Sequence, residues 1–188
     1  MLKNEIQEIC FKKFDEIINT LKTSKFQSIC HNDFWIHNIL FENGLFHKLN
    51  ENYIDKSFNE IAYDIFDPNS KFDGVKIFDF EYISYGSPLI DIAFLLFTSL
   101  KNNDLIKHEL DLVNFYYSCI CLYGITNYTL DECVADYYMA KELQFLRIMS
   151  ISGRNYFRTG KINDGTRNIS LNFKYLLDLF HLSYSQKD

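Results

Sequence analysis

Hydrophobic residues in the first part of the chain follow two different spacings. From residue 2 to residue 21 they recur every three or four positions between lysines and acids, which predicts an amphipathic helix. Three shorter apolar segments follow at 26–30, 39–41 and 75–80, and they are rich in β-branched and aromatic residues. These segments predict short strands, the first of which leads into a polar loop.

The middle of the chain combines a polar stretch with a strong helix start. Residues 43–74 are polar and rich in turn formers, so we expect a surface insertion there. Ser87 and Pro88 then supply an N-cap and an N1 proline, and the apolar run 89–97 predicts a buried helix. Asp91 falls in the first turn of that helix, where the helix dipole favours a negative charge.

The remaining part of the chain has the spacing of amphipathic helices. Helices are predicted over 104–122, 130–149 and 168–184. Thr129 precedes the second of them, and Glu132 stands three positions later, which is the pattern of a capping box.

The composition supports a single domain with one core. The chain has 188 residues, of which 47% are hydrophobic, and only 2 prolines and 7 glycines interrupt it. Long helices are therefore allowed. We expect one α+β domain over 1–188 that is mainly α, with a small β element.

Charge and apolar run length exclude two kinds of partner. The 19 Lys and Arg against 25 Asp and Glu leave a net charge of -6 without a basic cluster, which argues against nucleic-acid binding. The longest apolar run, 89–100, is shorter than the roughly 20 residues of a membrane span.

The start of the chain lacks a secretory signal, and the five cysteines show no C-x-x-C pair. We expect a cytoplasmic protein with reduced thiols and no membrane span.

Polar residues beside the predicted strands carry the candidate chemistry. Asp33 follows the first strand, Asn38 comes five residues later, and Asp79 lies at the end of the 75–80 segment. Two acids and an amide that converge would offer hard oxygen ligands to Mg²⁺ and a group to orient a hydroxyl. Phosphoryl transfer needs such a set, because its transition state depends on positioning and on positive charge. On that interpretation Asp33 accepts the hydroxyl proton, while Asn38 and Asp79 hold the metal.

Three sequence blocks resemble one group of phosphotransferases. The sequence HNDFWIHNILF from His31 and the sequence DFE from Asp79 are similar to the H-x-D-x-x-x-x-N and D-F-[QE] motifs of the aminoglycoside phosphotransferase and choline kinase-like superfamily. The closer resemblance is to the ecdysteroid kinase-like, or CHK kinase-like, family, whose loop reads HGDxWxxNxxF. That family's YGSPxxDLxxFL block resembles YGSPLIDIAFLL from Tyr85, so the resemblance covers residues 28–99.

The resemblance implies a protein kinase-like fold and a role for each matched residue. Asp33 matches the catalytic acid of the loop, and Asn38 and Asp79 match the Mg²⁺ ligands. His31 and Asp91 match positions that brace the loop from behind. The implied reaction uses ATP and Mg²⁺ and transfers the γ-phosphoryl group to a small alcohol of sterol-like or choline-like kind.

Three further positions bear on the site. Trp35 matches the family and is either a core side chain or part of the substrate cleft. Asn32 stands where the family usually has Gly, which costs strain if the position has positive φ, although Asn tolerates that conformation better than most residues. Glu81 stands where the family usually has Gln and adds a negative charge near the metal and the cleft.

The place of the motifs in the chain predicts a lobe of a kinase. Family members have a nucleotide-covering lobe and a phosphate-pairing lysine before the catalytic loop, whereas the loop here begins at His31. We therefore expect the C-terminal lobe alone, with activity that is incomplete in isolation. The uncovered inter-lobe face would favour self-association.

Two other functions fit part of the pattern. A truncated, catalytically silent kinase-like chain would act as a binding module. A metal-dependent hydrolase would instead use His31, Asp33 and His37 as ligands, although no further His or Cys has a suitable spacing. Binding of Mg-ATP tests the first alternative, and metal analysis tests the second.

Overall fold

The computed structural model describes residues 2–41 and 75–159 of the chain. The predicted surface insertion at 43–74 and the predicted helix at 168–184 lie outside the described residues. Within the described ranges no helix is both long and apolar enough to cross a membrane.

The described residues form four α-helices and four short strands, so the predicted α+β class is confirmed. In chain order the elements are α1 (Leu2–Lys22), β1 (Ser28–Cys30), a 3₁₀ turn (Ile36–Asn38), β2 (Ile39–Phe41), β3 (Val75–Ile77), β4 (Ser84–Gly86), α2 (Leu89–Ser99), α3 (Asn102–Leu122) and α4 (Leu130–Thr159). Each helix and strand predicted within these ranges is present. The first and third strands are shorter than their apolar segments, and α4 continues beyond its predicted end. Strand β4 was not predicted, because Ser84, Tyr85 and Gly86 form no apolar segment and the strand exists through its pairing with β1.

The four strands pair into two small antiparallel sheets. Strand β1 pairs with β4, with Ile29 opposite Tyr85, and β2 pairs with β3, with Leu40 opposite Lys76. The chain runs from β1 to β2 through residues 31–38, here named the 31–38 loop. It runs from β3 to β4 through residues 78–83, here named the 78–83 segment. The two pairings therefore hold the loop and the segment side by side.

The hydrophobic core lies among the four helices, and α4 contacts each of the other three. Its most buried apolar residues are Ile17, Leu21, Leu89, Ala93, Phe97, Leu105, Val113, Tyr128, Cys133, Tyr137 and Ala140. Burying one large aliphatic side chain contributes about 1.5–3 kcal/mol, so the helical core supplies the rigid support on which the short strands rest.

Helix α4 begins with the predicted capping box. The backbone N–H of Glu132 donates to the Thr129 hydroxyl at 3.2 Å, and the backbone N–H of Thr129 donates to the Glu132 carboxylate at 2.9 Å. Lys25 adds an ion pair to the same carboxylate. The cap therefore also connects α4 to the link between α1 and β1.

The start of α2 differs from the prediction. No side chain caps this helix, and the hydroxyl of Ser87 is buried without a hydrogen-bond partner. The first turn closes on backbone instead, because the N–H of Ile90 donates to the Ser87 carbonyl at 3.2 Å. The predicted Ser87 side-chain cap is therefore wrong.

A polar cluster fixes the approach to β1. The hydroxyls of Ser24 and Tyr128 both donate to the carboxylate of Asp136 on α4, the second at 2.7 Å. Gln27 donates its side-chain amide to the Leu21 carbonyl at 2.9 Å. The chain therefore enters β1, and then the 31–38 loop, from a position set by α4.

Candidate active site

Asp91 anchors the start of the 31–38 loop. Its side chain is buried in the first turn of α2, and its two oxygens accept the backbone N–H groups of His31 at 2.6 Å and of Asn32 at 2.7 Å. Burial raises the pKa of Asp91 above its ordinary value, while the two N–H donors act in the opposite direction. Two bonds to adjacent amides fix the direction in which the chain leaves β1.

His31 connects the loop to the 78–83 segment. Its ring is buried, with Nε2 2.8 Å from the carbonyl oxygen of Phe78 and Nδ1 3.3 Å from the backbone nitrogen of Asp33. The carbonyl can only accept and the N–H can only donate, so the proton lies on Nε2. Both ring nitrogens are therefore engaged within the protein.

Asn32 adopts a left-handed backbone conformation with φ of 62°. Its side-chain amide donates to the Tyr82 carbonyl and to the Ser84 hydroxyl, both at 2.8 Å. The positive φ considered for this position is therefore present, and Asn tolerates it more readily than most residues. Its side chain also adds a second connection between the loop and the strand β4 region.

Asp33 and Asn38 face one another across the loop. The buried side-chain amide of Asn38 donates to the backbone carbonyl of Asp33 at 2.9 Å and to its carboxylate at 3.1 Å. A short turn produces this geometry, because the N–H of Asn38 donates to the Trp35 carbonyl at 2.9 Å. These bonds use the nitrogen of the Asn38 amide and leave its oxygen for another partner.

Asp79 lies next to Asn38 through the backbone. The N–H of Phe78 donates to the Asn38 carbonyl at 3.2 Å, which brings the residue before Asp79 against the end of the loop. Asp79 itself is left-handed, with φ of 67°. Non-glycine residues in this conformation cost about 1–3 kcal/mol and are concentrated at functional sites. The loop and the segment thus each place one left-handed residue at this point of the fold.

Trp35 and Glu81 lie at the edge of this arrangement. The half-buried indole of Trp35 packs edge-on against the His37 ring at a centroid distance of 4.4 Å, and its Nε1 is buried without a hydrogen-bond partner. Glu81 is exposed. Hydrogen bonding to Glu81 and the charge of that carboxylate raise the pKa of Tyr82, and the charges of Asp33 and Asp79 add to the effect.

The comparisons with known proteins agree with the sequence motifs. A model of the ecdysteroid kinase-like family matches residues 2–121, which is more than half of the chain and includes both the 31–38 loop and Asp91. The chain belongs to the ecdysteroid kinase-like family. Membership of this family implies a kinase-like phosphotransferase that acts on small molecules. No curated protein and no solved structure matches the chain significantly.

One residue at this ecdysteroid kinase-like site was not identified from sequence. Arg147, on α4, donates from Nη1 to the Asn32 carbonyl at 2.7 Å, and its Nη2 lies 3.6 Å from Oδ1 of Asp33. The guanidinium lies over the Phe94 ring at 4.9 Å. Arg147 is 115 residues from Asn32 in the chain and stands in an ordinary amphipathic helix, so no local spacing marks it.

The donor set at the site fits some metals better than others. Within 2–41 and 75–159, no group of three or more His, Cys, Asp and Glu side chains is placed to hold a metal ion. The transition-metal site considered at His31, Asp33 and His37 is therefore wrong, because both nitrogens of the His31 ring already have protein partners. Mg²⁺ keeps several waters and takes only one or two protein oxygens. The free amide oxygen of Asn38 and the carboxylate of Asp79 suit that ion.

Proposed function

We propose that this chain carries the phosphoryl-transfer site of an ecdysteroid kinase-like enzyme that uses Mg-ATP and a small alcohol. The observation that carries the proposal is the pair of bonds through Phe78. Its carbonyl accepts from His31 and its N–H donates to Asn38, so the loop that bears Asp33 and the segment that bears Asp79 are joined. Phosphoryl transfer requires these groups together.

In the proposed reaction Asp33 receives the proton of the acceptor hydroxyl. The hydroxyl oxygen forms a bond to the γ-phosphorus while the bond from that phosphorus to the bridging oxygen breaks, and ADP leaves with the electron pair. The Asn38 amide holds one oxygen of the Asp33 carboxylate, which limits the directions in which it can meet the hydroxyl.

Asn38 and Asp79 are proposed to hold Mg²⁺ through the amide oxygen and the carboxylate. Bound there, the ion would neutralise charge that develops on the phosphate oxygens. His31 and Asp91 are proposed as braces. Asp91 accepts from two N–H groups of the loop, and the buried His31 ring accepts from the Asp33 N–H and donates to the Phe78 carbonyl. Trp35 and Glu81 are assigned to the acceptor side of the cleft, where the alcohol is sterol-like or choline-like.

The test is Mg-ATP binding by calorimetry together with transfer of labelled phosphate to a panel of sterol-like and choline-like alcohols. We expect Asp33→Asn to lower the transfer rate by roughly 10²–10⁴-fold with little change in nucleotide binding. Asp79→Asn should weaken binding of Mg-ATP. Asp111→Asn makes the same change at a 59% exposed carboxylate of α3 and serves as the matched control, which should keep the binding.

Two results would contradict this proposal in different ways. Equal Mg-ATP affinity in the wild type and in Asp79→Asn would remove Asp79 from the metal site. Tight binding of Mg-ATP with no transfer to any acceptor would instead favour the alternative function, a catalytically silent kinase-like binding module.

A further inference from the structure

Arg147 joins helix α4 to both sides of the peptide between Asn32 and Asp33. We infer that Arg147 is a positioning residue that holds the Asp33 carboxylate and the preceding backbone in the geometry for proton acceptance. The kinetic part of this inference rests on the proposed function, whereas the structural part does not.

The shape of the guanidinium suits the two contacts it makes. One terminal nitrogen donates to the Asn32 carbonyl at 2.7 Å, and the other lies 3.6 Å from Oδ1 of Asp33. A planar fork with fixed donors can meet a carbonyl and a neighbouring carboxylate at the same time, whereas a lysine ammonium acts as a single point charge. Arg147 therefore restrains both the direction of the Asn32 carbonyl and the position of the Asp33 side chain.

Arg147 completes the set of restraints on Asn32. The backbone N–H of Asn32 donates to Asp91, its side chain donates to Tyr82 and Ser84, and its carbonyl accepts from Arg147. A left-handed residue is stable only when its surroundings over-determine its conformation. Without Arg147, the carbonyl that leads directly into Asp33 loses its charged partner.

The Asp33 carboxylate is held from two directions. Asn38 donates to Oδ2 at 3.1 Å, and the Arg147 guanidinium faces Oδ1. The side chains of Asp33 and Arg147 remain 25% and 33% exposed, so the pair lies at the surface of the site, where an acceptor can reach it. A carboxylate that is restrained and still accessible is what a proton acceptor in this reaction requires.

Helix α2 aligns Arg147 with the loop. The ring of Phe94, one turn after Asp91, supports the guanidinium at 4.9 Å. Gln144, one turn before Arg147 on α4, donates to the Ile90 carbonyl at 3.1 Å and sets the register between the two helices. The same helix thus supplies the carboxylate that holds the loop N–H groups and the surface on which Arg147 rests.

The experiment compares Arg147→Met and Arg147→Lys with Lys13→Met. Lys13 is a matched control because it pairs with Glu142 of α4 at 3.6 Å and is 26% exposed, but it lies away from the loop. The first measurement is backbone hydrogen exchange in the whole chain, which needs no activity. We expect exchange at Asn32 and Asp33 to become roughly 10- to 100-fold faster in Arg147→Met, with α3 unchanged, because a charge-assisted bond is lost. Lys13→Met should leave the loop as in the wild type.

The second measurement is steady-state transfer with Mg-ATP. We expect kcat to fall by roughly 10- to 100-fold in Arg147→Met while KM for ATP changes by less than about twofold, and Arg147→Lys to recover part of the loss. Unchanged loop exchange together with unchanged kcat would overturn the inference. If Arg147→Met does not fold, Arg147→Lys provides the test. Wild-type loop exchange and wild-type kcat in Arg147→Lys would contradict a role for the planar guanidinium. If the wild-type chain transfers no phosphoryl group, the proposed function is contradicted. The hydrogen-exchange result then tests by itself whether Arg147 restrains the loop.

Discussion

At the scale of single residues, the site depends on two backbone conformations that most side chains avoid. Asn32 and Asp79 both have positive φ. Asn32 directly precedes Asp33, and Asp79 is itself a candidate metal ligand. Asn and Asp are among the residues that tolerate this conformation. The sequence therefore provides suitable residues at both positions, although the conformation itself comes from the bonds that surround them.

Replacing Asn32 separates its backbone role from its side-chain role. Asn32→Ala should lower the free energy of unfolding by about 1–3 kcal/mol, because alanine resists positive φ and lacks the amide that bonds Tyr82 and Ser84. Asn32→Gly should cost less than alanine, because it loses only the side-chain bonds. Urea unfolding followed by the fluorescence of the single tryptophan, Trp35, measures both. Equal losses in the two variants would show that the left-handed backbone carries no cost at this position.

At the scale of elements, helix α4 connects the rest of the described fold through its cap and through a buried ion pair. The cap joins it to the link before β1, and the ion pair joins it to α3. The cap responds to pH through Glu132, and the ion pair responds to the loss of one partner.

The cap at Glu132 makes stability depend on pH in the acid range. The bond to Lys25, followed by that from the Thr129 N–H, holds the pKa of Glu132 at about 2, below its usual 4.5. Its folded-state pKa is depressed, so its stabilising effect is present above about pH 4.5 and is lost as the pH falls towards 2. We expect Glu132→Gln to lower the urea midpoint near neutral pH and to approach the wild type near pH 2. A constant difference at both pH values would contradict this linkage.

The ion pair between Glu109 and Lys141 connects α3 to α4 inside the core. The two side chains are 7% and 5% exposed and lie 2.7 Å apart, and the Tyr137 hydroxyl donates to the same carboxylate at 3.3 Å. Removing one partner takes a 2.7 Å bond from a buried charge, so Glu109→Leu or Lys141→Met alone should each cost about 3–5 kcal/mol. The double variant should cost less than either single change. Urea unfolding of the wild type, the two single variants and the double variant gives a double-mutant cycle. If the two losses in the free energy of unfolding simply add, the pair is not coupled.

At the scale of the whole molecule, the short strands carry exposed apolar side chains. Ile29 and Tyr85 lie directly opposite one another in the β1–β4 pair and are 70% and 75% exposed. Adjacent apolar residues of this kind favour association with a second surface. The self-association expected from the sequence remains a prediction that this surface makes testable.

Sedimentation of the chain over a range of concentrations measures this association. We expect a concentration-dependent rise in mass that Ile29→Glu or Tyr85→Glu reduces, because a charge on this pair opposes burial. Leu122→Glu alters a 52% exposed residue on α3 and is the control, which should associate like the wild type. The prediction would be contradicted if the wild type stayed monomeric at all concentrations. It would also be contradicted if Ile29→Glu left the association unchanged.

Much of the described fold follows from local spacing along the chain. Periodic apolar residues are sufficient to predict α1, α3 and α4, because burial of one helix face repeats every three or four positions. The capping box of Thr129 and Glu132 is also local, since its two residues are three positions apart. Strand β4 and the start of α2 were not predicted correctly, because the first depends on pairing with β1 and the second on packing that buries the Ser87 hydroxyl without a partner.

Residue spacing and motifs are enough to identify the helices, the family and the order of Asp33, Asn38 and Asp79 along the chain. The contacts with distant groups become visible only in the folded chain. These are the bonds of Asp91 to the loop N–H groups, of Phe78 to His31 and Asn38, and of Arg147 to the Asn32 carbonyl. The difference comes from how far along the chain each kind of interaction acts. Propensities, caps and periodic burial act between neighbours in the chain, whereas a hydrogen bond between residues far apart exists only after the helices have packed and brought its donor to its acceptor.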